Sequence, residues 1–577
     1  MSDSRLREKP RACSNCSRAK AKCAPVDNDA DICHRCLKNN LTCSKSGPVS
    51  TKRRGRATHA KVLERKLDDI MALLTREQEH TPHSDRPIGR TTFPSDAAPT
   101  TIPSPRQASY QDPETRSISI VPGFEVSFSE ADQVLEEYMT TMLPEFPFVP
   151  LSSTNSSDML KDQPLLLKTI LWVCRPPPPE PSAAFERWFR QHIAHHTVVL
   201  MNKSLELVQA ILVFLAWNDI YFYAAAKDTA LVQLAICLID DLRLARPRRR
   251  EGSAFESIVE DAAQMQNKLP QEPKQTRAEC RTLMGVYYTA STLCSLLGKR
   301  YRLEYTAHFD DCCKQLQSEQ EYPTDPLLVS LVGIRRIAMK VNNSFWEMIG
   351  NTNNQPSGGV YSIAVAAIRN ELDAFMNQLP PSLKWNHLLR THCASIRIRL
   401  FEPFKFGVGD KCETQGSTHL RSQTIWNCLQ STHELYDAFR LVPVESFPSL
   451  TVISILHIAL AIIKASRLLC VEDPAWDLNT ARTMYNLPGI LQQLSKVFED
   501  ASRGGSPRSR MIVRGLPIFS EYAEAYRGIE RLYLERLNAN VVLSNPALMV
   551  PISAGGDNGV GVDFWNQLSD LTDGLFP

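Results

Sequence analysis

The sequence has no apolar run long enough to cross a bilayer. Its most apolar stretch, 450–463, is short and carries Thr451, Ser454 and His457, so we expect a buried core helix there. The amino-terminal residues MSDSRLREKP are polar where a secretory signal is apolar, and we expect the protein to start out in the cytosol. A membrane protein and a secreted protein are therefore not expected.

Motifs of catalysis and nucleotide binding are also missing. None of G-x-S-x-G, H-E-x-x-H, G-x-x-x-x-G-K-[ST] and G-x-G-x-x-G occurs. His192, His195 and His196 lie close together but have no carboxylate or cysteine at metal-ligand spacing. We expect that the protein is not an enzyme, and an enzyme with an appended metal module is a distant alternative.

What the sequence does have is charge concentrated at one end. Residues 1–66 contain 17 Lys and Arg against 6 Asp and Glu, a surplus of +11, whereas the remainder of the 577 residues carries −9. A chain of this length has room for a large domain, a small module and flexible connections. The basic end is the expected place for contact with a polyanion.

Six of the 16 cysteines fall within this basic end, as two copies of C-x2-C-x6-C joined by a nine-residue spacer: Cys13, Cys16, Cys23, Cys33, Cys36 and Cys43. In a reducing compartment such a cluster favours metal over disulfides. A structural zinc takes four ligands, so six thiolates complete two tetrahedra only if two of them bridge. We expect two Zn²⁺ per chain in residues 13–43, which should need the metal to fold. The other cysteines, such as Cys237, Cys294, Cys312 and Cys313, are expected to be small buried hydrophobes.

This spacing, followed by a basic run after Cys16, resembles the fungal binuclear zinc cluster family of transcription factors. The resemblance implies that Cys13 and Cys33 bridge the two metals. It also implies that Lys20 reads guanine in a CGG-like half-site in the major groove. Phosphate contacts are then expected from Arg18 and Lys22, with Lys38 near the DNA backbone.

The sequence departs from the family in the spacer between the two halves. The family usually has proline two residues before the fourth cysteine, but this chain has Asp31 there and its nearest proline is Pro25. The spacer also carries Asp27 and Asp29, which phosphate repels. We expect the spacer to point away from DNA, with a loop geometry that the family pattern does not define.

Three connecting segments follow the cluster. The linker 44–58 is polar and basic, and Lys52, Arg53, Arg54 and Arg56 suit a nuclear import signal, a phosphate-tracking arm or a solvated linker. Residues 59–76 have the a/d spacing of a short dimerising coiled coil, at Ala60, Leu63, Leu67, Ile70 and Leu74. The alternative is an amphipathic helix packed on the large domain. Residues 77–118 are rich in Pro, Ser and Thr, and we expect a disordered linker.

From 119 to 545 the apolar spacing is helical, as in SLELVQAILVFLAW at 204–217, and strand-like alternation is scarce. We expect an all-helical domain. Together with EYMTTMLPEFPFVP at 137–150 and RAECRTLMGVYY at 277–288, this region resembles the middle homology region of fungal-specific transcription factors. The resemblance implies a regulatory domain that restrains the activator or senses a signal, and the alternative is a scaffold without a ligand. The expected fold is thus a small binuclear zinc cluster module, a short coiled coil, a disordered linker and a large all-α domain.

The tail 546–577 is acidic and hydrophobic. Phe564, Leu568, Leu571 and Leu575 are spaced 4, 3 and 4 apart, as in a helix that folds on a coactivator. The same spacing suits a helix packed on its own domain.

Taken together, these features predict a nuclear, homodimeric, sequence-specific activator of RNA polymerase II genes that binds double-stranded DNA. Analogy favours a pathway-specific regulator, such as that of a secondary-metabolite biosynthetic gene cluster. The alternatives are control of nutrient use, secreted proteases or stress response, and repression in place of activation.

Overall fold

The structure is a computed structural model that describes residues 13–19, 21–26, 32–44, 117–246, 275–350, 358–402, 415–470, 473 and 476–544. The chain divides into two compact units, residues 1–107 and 108–577. The first unit contains the six-cysteine segment 13–43, here called the six-cysteine module, and the second contains a large helical domain. Within the described residues, no helix combines the length and apolarity needed to cross a membrane.

The six-cysteine module contains two short helices, α1 (Ser14–Arg18) and α2 (His34–Lys38). In the described part of the module, the buried side chains are those of Cys13, Cys16, Cys33 and Cys36. A fold whose interior consists of thiols has almost no apolar core, so hydrophobic burial alone cannot stabilise it. That the module needs metal to fold stays a prediction.

The second unit opens with an antiparallel hairpin, which the sequence analysis missed. Strand β1 (Ser117–Val121) pairs with β2 (Phe124–Ser127), and Gly123, at φ 82°, makes the turn between them. Exposed and buried residues alternate along β1, so Ile118 and Ile120 reach the core. The boundary expected at residues 118 and 119 therefore falls inside this hairpin, because a period-two pattern of only five residues is easily overlooked.

Elsewhere in the described part of this unit the regular structure is helical, except for a second short hairpin, β3 (Ile512–Val513) and β4 (Leu516–Pro517). The α-helices are α3 (Phe128–Glu137), α4 (Ser156–Asp162), α5 (Pro164–Cys174), α6 (Pro179–Ala194), α7 (Leu205–Ala216), α8 (Ile220–Ala224), α9 (Asp228–Asp241), α10 (Arg277–Leu297), α11 (Ala307–Glu319), α12 (Asp325–Gly350), α13 (Gly358–Gln378), α14 (His387–Leu400), α15 (Gln415–Phe439), α16 (Val452–Leu468), α17 (Leu478–Met484), α18 (Leu487–Ser502) and α19 (Ile518–Ser544). The large helical domain predicted from apolar periodicity is confirmed.

Helix α10 lies at the centre of the domain. Every residue from Cys280 to Leu297 is buried, and the helix packs against α7, α9, α11, α12 and α16. A helix that is enclosed on all sides belongs to the interior of a large domain. Its ends are well defined, because Thr276 and Glu279 form a capping box and Gly298 ends the helix at φ 64°.

The predicted core helix at 450–463 is confirmed as α16, whose residues Val452 to Ala459 are all buried. The scattered cysteines follow expectation in part: Cys294 and Cys312 are buried and Cys313 is half-buried. Cys237 is exposed, so the prediction for it is wrong. It lies on the solvent side of α9, whose core face is made by larger side chains.

Hydrogen bonds between distant parts of the chain close the domain. The indole of Trp217 donates to the carbonyl of Ser449 (2.9 Å), and the guanidinium of Arg508 donates to the carbonyl of Trp217 (2.8 Å). Tyr221 donates to Glu521 on α19 (2.5 Å). The loop after α7 is thereby bonded to elements more than two hundred residues later, which makes the helices of this unit one interdependent core.

Candidate metal centre

The two halves of the six-cysteine module repeat each other's local structure at an offset of 20 residues. The backbone N–H of Cys13 donates to the Sγ of Cys23, and that of Cys33 donates to the Sγ of Cys43, at 3.4 Å in both cases. Each helix begins one residue after the first cysteine of its half. The identical C-x2-C-x6-C spacing therefore corresponds to two nearly equivalent structures that face each other.

The sulfur atoms form two overlapping groups of four. One group contains Cys13, Cys16, Cys23 and Cys33, the other contains Cys13, Cys33, Cys36 and Cys43, and within each group the sulfurs lie within 4.8 Å of one another. Cys13 and Cys33 belong to both groups, and their sulfurs are 3.8 Å apart. These are the two cysteines for which the family resemblance implied a bridging role.

The distances suit zinc and do not suit disulfides. A tetrahedron of thiolates with metal–sulfur bonds of about 2.3 Å has edges of about 3.8 Å. The sulfur of Cys13 is 3.6 Å from that of Cys36, and the sulfur of Cys16 is 3.6 Å from that of Cys33. A disulfide requires about 2.05 Å, and all six thiols are free. The group can therefore hold metal, and the donors are those that zinc prefers in structural sites.

Backbone hydrogen bonds favour thiolates at the two shared positions. The N–H of Cys36 donates to the sulfur of Cys33 (3.5 Å), and this bond is the main reason that the pKa of Cys33 is lowered to about 6. The N–H of Cys16 lowers the pKa of Cys13 in the same way. Burial raises the pKa of Cys16 to about 12 and also raises that of Cys36. A bound dication would supply the field that ionises these two thiols.

One residue that the sequence analysis missed connects the two halves. The side-chain amide of Asn15 donates to the carbonyl of Thr42 (2.9 Å) and approaches the sulfur of Cys36 at 4.0 Å. Arg35 donates back to the carbonyl of Asn15 (3.5 Å). In the sequence, the only sign of this role was that Asn15 lies between the first two cysteines. The cysteine spacing does not indicate that its amide contacts the second half.

The spacer closes onto the second half through Pro25. This residue forms an isolated antiparallel bridge with Cys33, and the N–H of His34 donates to the carbonyl of Ala24 (3.0 Å). Pro25 is the proline nearest to the position at which the family usually has one, and it pairs with Cys33 at the far end of the spacer. Asp27, Asp29 and Asp31, expected to point away from DNA, lie outside the described residues.

Three of the predicted DNA contacts can be located. Arg18, Lys22 and Lys38 are exposed, and no described carboxylate forms an ion pair with any of them. Basic side chains without an internal counter-ion are available for phosphate. The other predicted contacts and the predicted dimerisation residues lie outside the described residues: Lys20, Lys52, Arg53, Arg54, Arg56, Ala60, Leu63, Leu67, Ile70 and Leu74. The same holds for the tail 546–577.

Fold and centre together define a class of protein in which a small cysteine module that could hold metal accompanies a large helical domain. Residues 105–469 match the family model described as the WAR1 C-terminal domain. That match covers more than half of the chain, and the chain therefore belongs to the family of fungal transcription factors that carry this domain. The resemblance inferred from the sequence is confirmed.

The curated relatives are named in agreement with this family. The chain is 23% identical over 491 residues to transcription factor opdL of Penicillium oxalicum, which covers 84% of this chain and 82% of the relative. It is 25% identical over 402 residues to transcription factor himD of Aspergillus japonicus, covering 68% and 61%. A transcription factor of Aspergillus terreus is 20% identical over 377 residues, covering 62% and 54%. No solved structure matches the chain.

Proposed function

We propose that this protein is a nuclear, zinc-dependent transcription factor that binds specific DNA sequences and regulates RNA polymerase II genes. The observation that carries the proposal is the sharing of Cys13 and Cys33 by both four-sulfur groups. Six thiolates complete two zinc tetrahedra only through such sharing. The names of the relatives supply the second support, since all three are called transcription factors.

In this proposal the zinc ions fix the two halves of the six-cysteine module, and the basic run of the first half reads DNA. Lys20 donates to guanine in a CGG-like half-site. Arg18 and Lys22 hold phosphates, with Lys38 near the backbone. The exposure of Arg18, Lys22 and Lys38 is consistent with these roles. Lys52, Arg53, Arg54 and Arg56 extend the contact along the phosphates and serve in nuclear import.

Two copies of the chain bind paired half-sites through a coiled coil at residues 59–76. The support is the a/d spacing of Ala60, Leu63, Leu67, Ile70 and Leu74. Two heptads give only a weak dimer in solution. Paired half-sites on one DNA hold the two copies close together, which raises their effective concentration and favours the dimer. The half-site spacing is then set by the linker 44–58.

The regulated genes are proposed to form one pathway, such as a secondary-metabolite biosynthetic cluster, with the protein as activator. The acidic tail, through Phe564, Leu568, Leu571 and Leu575, is the proposed contact with coactivators. The helical domain then serves as the regulatory part. Repression in place of activation is the main competing function, and a reporter assay with the tail separates the two.

The decisive experiment measures zinc and DNA binding on the full chain. The parent protein should contain two zinc ions per chain and select a CGG-containing sequence from random DNA. Cys33→Ser removes a ligand from both four-sulfur groups and should abolish both properties, whereas Cys43→Ser removes a ligand from one group and should leave one ion bound. Cys237→Ser, an exposed cysteine of the helical domain, is the matched control and should change neither.

One zinc ion per chain in the parent, or normal zinc content and DNA selection in Cys33→Ser, would contradict the proposal. Loss of zinc without loss of DNA selection would contradict its zinc dependence. Circular dichroism of the same variants distinguishes a local effect from general unfolding, because the helical domain dominates that signal.

A further inference from the structure

The helical domain contains a buried guanidinium without a carboxylate partner. Arg335 on α12 is 1% exposed and donates to the carbonyl of Ser291 (2.5 Å) and to the hydroxyl of Ser295 (2.6 Å). No described carboxylate forms an ion pair with it. Buried charges in proteins are usually paired, because an uncompensated one is costly in a low dielectric. The positive charge of Arg335 therefore creates a strong local field in the core.

Two buried histidines lie within this field. The rings of His392 on α14 and His457 on α16 are 4.8 Å apart and nearly perpendicular, and the Nε2 of His392 is 2.9 Å from the hydroxyl of Tyr288. Both nitrogens of His457 and the Nδ1 of His392 have no hydrogen-bond partner among the described residues. Burial, assisted by the charge of Arg335, lowers the pKa of His457 to about 3, so its ring is neutral. Three polar atoms thus remain unsatisfied in the same place.

A cavity of about 60 Å³ lies beside His457 and is partly open to the surface. We call it the His457 cavity. Its lining includes the hydroxyls of Ser295 and Ser395 and the apolar side chains of Leu460 and Ala461. The charged side chains that also line it are those of Arg399, Glu402, Lys464 and Arg467. The hydroxyl of Ser295 accepts hydrogen bonds from Arg335 and Asn342 (3.3 Å) and donates to no described atom. Its proton is therefore available to a ligand, and Ser295 connects the cavity to Arg335.

The charged residues that line the cavity are three cations, Arg399, Lys464 and Arg467, and one carboxylate, Glu402. Glu402 is ion-paired with Lys464 and lies 3.4 Å from Arg399. It is 2% exposed. The carboxylate of Glu402 is thus engaged with these two cations, and no ion pair joins it to Arg335.

We propose that the His457 cavity binds one small monovalent anion, which serves as the counter-ion of Arg335. The anion accepts hydrogen bonds from the ring of His457 and the hydroxyl of Ser295, and it compensates the buried positive field. The volume admits chloride or a short carboxylate such as formate or acetate and is too small for large anions. Because α10, α12, α14 and α16 all contribute to the cavity or its charge, an anion there would connect four core helices.

Binding is tested with the full chain by equilibrium dialysis of radiolabelled formate and by thermal unfolding in a series of sodium salts. Sodium gluconate, whose anion is too large for the cavity, keeps the ionic strength constant. One formate should bind per chain, and the unfolding temperature should rise saturably with formate, acetate or chloride. Chloride acting alone would identify an inorganic ion as the ligand, and carboxylates acting more strongly would identify an organic acid.

The variant His457→Leu keeps the volume of the ring and removes its nitrogens. It should weaken anion binding by about tenfold or more while leaving the salt-free protein at least as stable, because the lost atoms had no partners. His195→Leu, at an exposed histidine, is the control and should bind as the parent does. The proposal would be overturned by equal unfolding temperatures in all salts or by unchanged anion binding in His457→Leu. It would also be overturned if formate did not bind and chloride had no effect on the unfolding temperature. None of these readouts depends on zinc or DNA.

Discussion

Replacing Gly285 by alanine sets two effects of opposite sign against each other. Gly285 lies in the central helix α10, where alanine is favoured over glycine by about 1 kcal/mol of helix propensity. A Cβ at this position, however, would lie 2.8 Å from the Cδ1 of Leu212 and 2.8 Å from the Cβ of Phe148. Carbon atoms prefer a separation of about 3.5–4.0 Å. The Cβ of Phe148 is fixed to the backbone, so rotation of a side chain cannot relieve the contact.

The steric effect should win. Overpacking of a core costs about 1–3 kcal/mol, and the upper part of that range applies because two elements must move away from α10. Subtracting the gain in helix propensity leaves an expected net loss of about 1–2 kcal/mol for Gly285→Ala. Gly528 in α19 provides the matched control, since a Cβ there meets nothing within 4 Å. Gly528→Ala should therefore stabilise the domain by about 0.5–1 kcal/mol.

Urea unfolding followed by circular dichroism measures both variants, with the parent in the same buffer. The midpoint should fall for Gly285→Ala and rise for Gly528→Ala, with similar slopes. Should Gly285→Ala gain as much stability as Gly528→Ala, the close packing of α10 against Leu212 and Phe148 would not hold in solution.

Three further predictions concern other parts of the chain. Asp325 is 0% exposed and accepts from the buried Arg281 through bonds of 2.8 and 2.9 Å, and Glu321 is a second, more exposed partner of Arg281 at 2.9 Å. Asp325→Ala should therefore cost about 3 kcal/mol in urea unfolding, the lower end of the range for a broken buried pair, and a cost below that of an exposed ion pair would refute this. Lys20→Ala should cost about 1–3 kcal/mol of binding free energy on the preferred DNA site and reduce the discrimination against other sequences. Arg18→Ala should weaken binding to specific and random DNA alike, and it should lower the slope of log affinity against log salt concentration by about one unit. Equal losses on both kinds of DNA for Lys20→Ala would argue against base reading. Residues 557–577 fused to an unrelated DNA-binding domain should activate a reporter, and a silent fusion would favour repression.

The metal centre could be predicted from sequence because its chemistry depends on residue type and spacing. Six cysteines can serve two four-coordinate zinc ions only by sharing ligands, and the structure brings Cys13 and Cys33 into both four-sulfur groups. The contribution of Asn15 could not be predicted, since its partner Thr42 is 27 residues away and no periodic pattern connects them. Spacing predicts which atoms belong together but does not predict which amide crosses between the halves.

In the helical domain, too, some features could be predicted from the sequence and others could not. Apolar periodicity predicted its class and the core helix α16, because burial of one face is written at helical spacing. The first hairpin escaped because five residues of alternation carry little signal. Arg335 could not be recognised as buried, because arginine is normally a surface residue and only tertiary packing determines that this one lies in the core.

The hydrogen bond between Arg508 and Trp217 has a consequence for how the protein is made. Translation delivers the six-cysteine module first, and domains fold as units as they leave the ribosome. The carbonyl of Trp217 receives its buried hydrogen bond only after a residue 291 positions later has been synthesised. A chain terminated before Arg508 would keep all six cysteines of the module beside a helical domain with an open core. Quality control that recognises exposed apolar surface would then remove the fragment, so late premature termination should eliminate the whole protein and not release the six-cysteine module with a damaged domain.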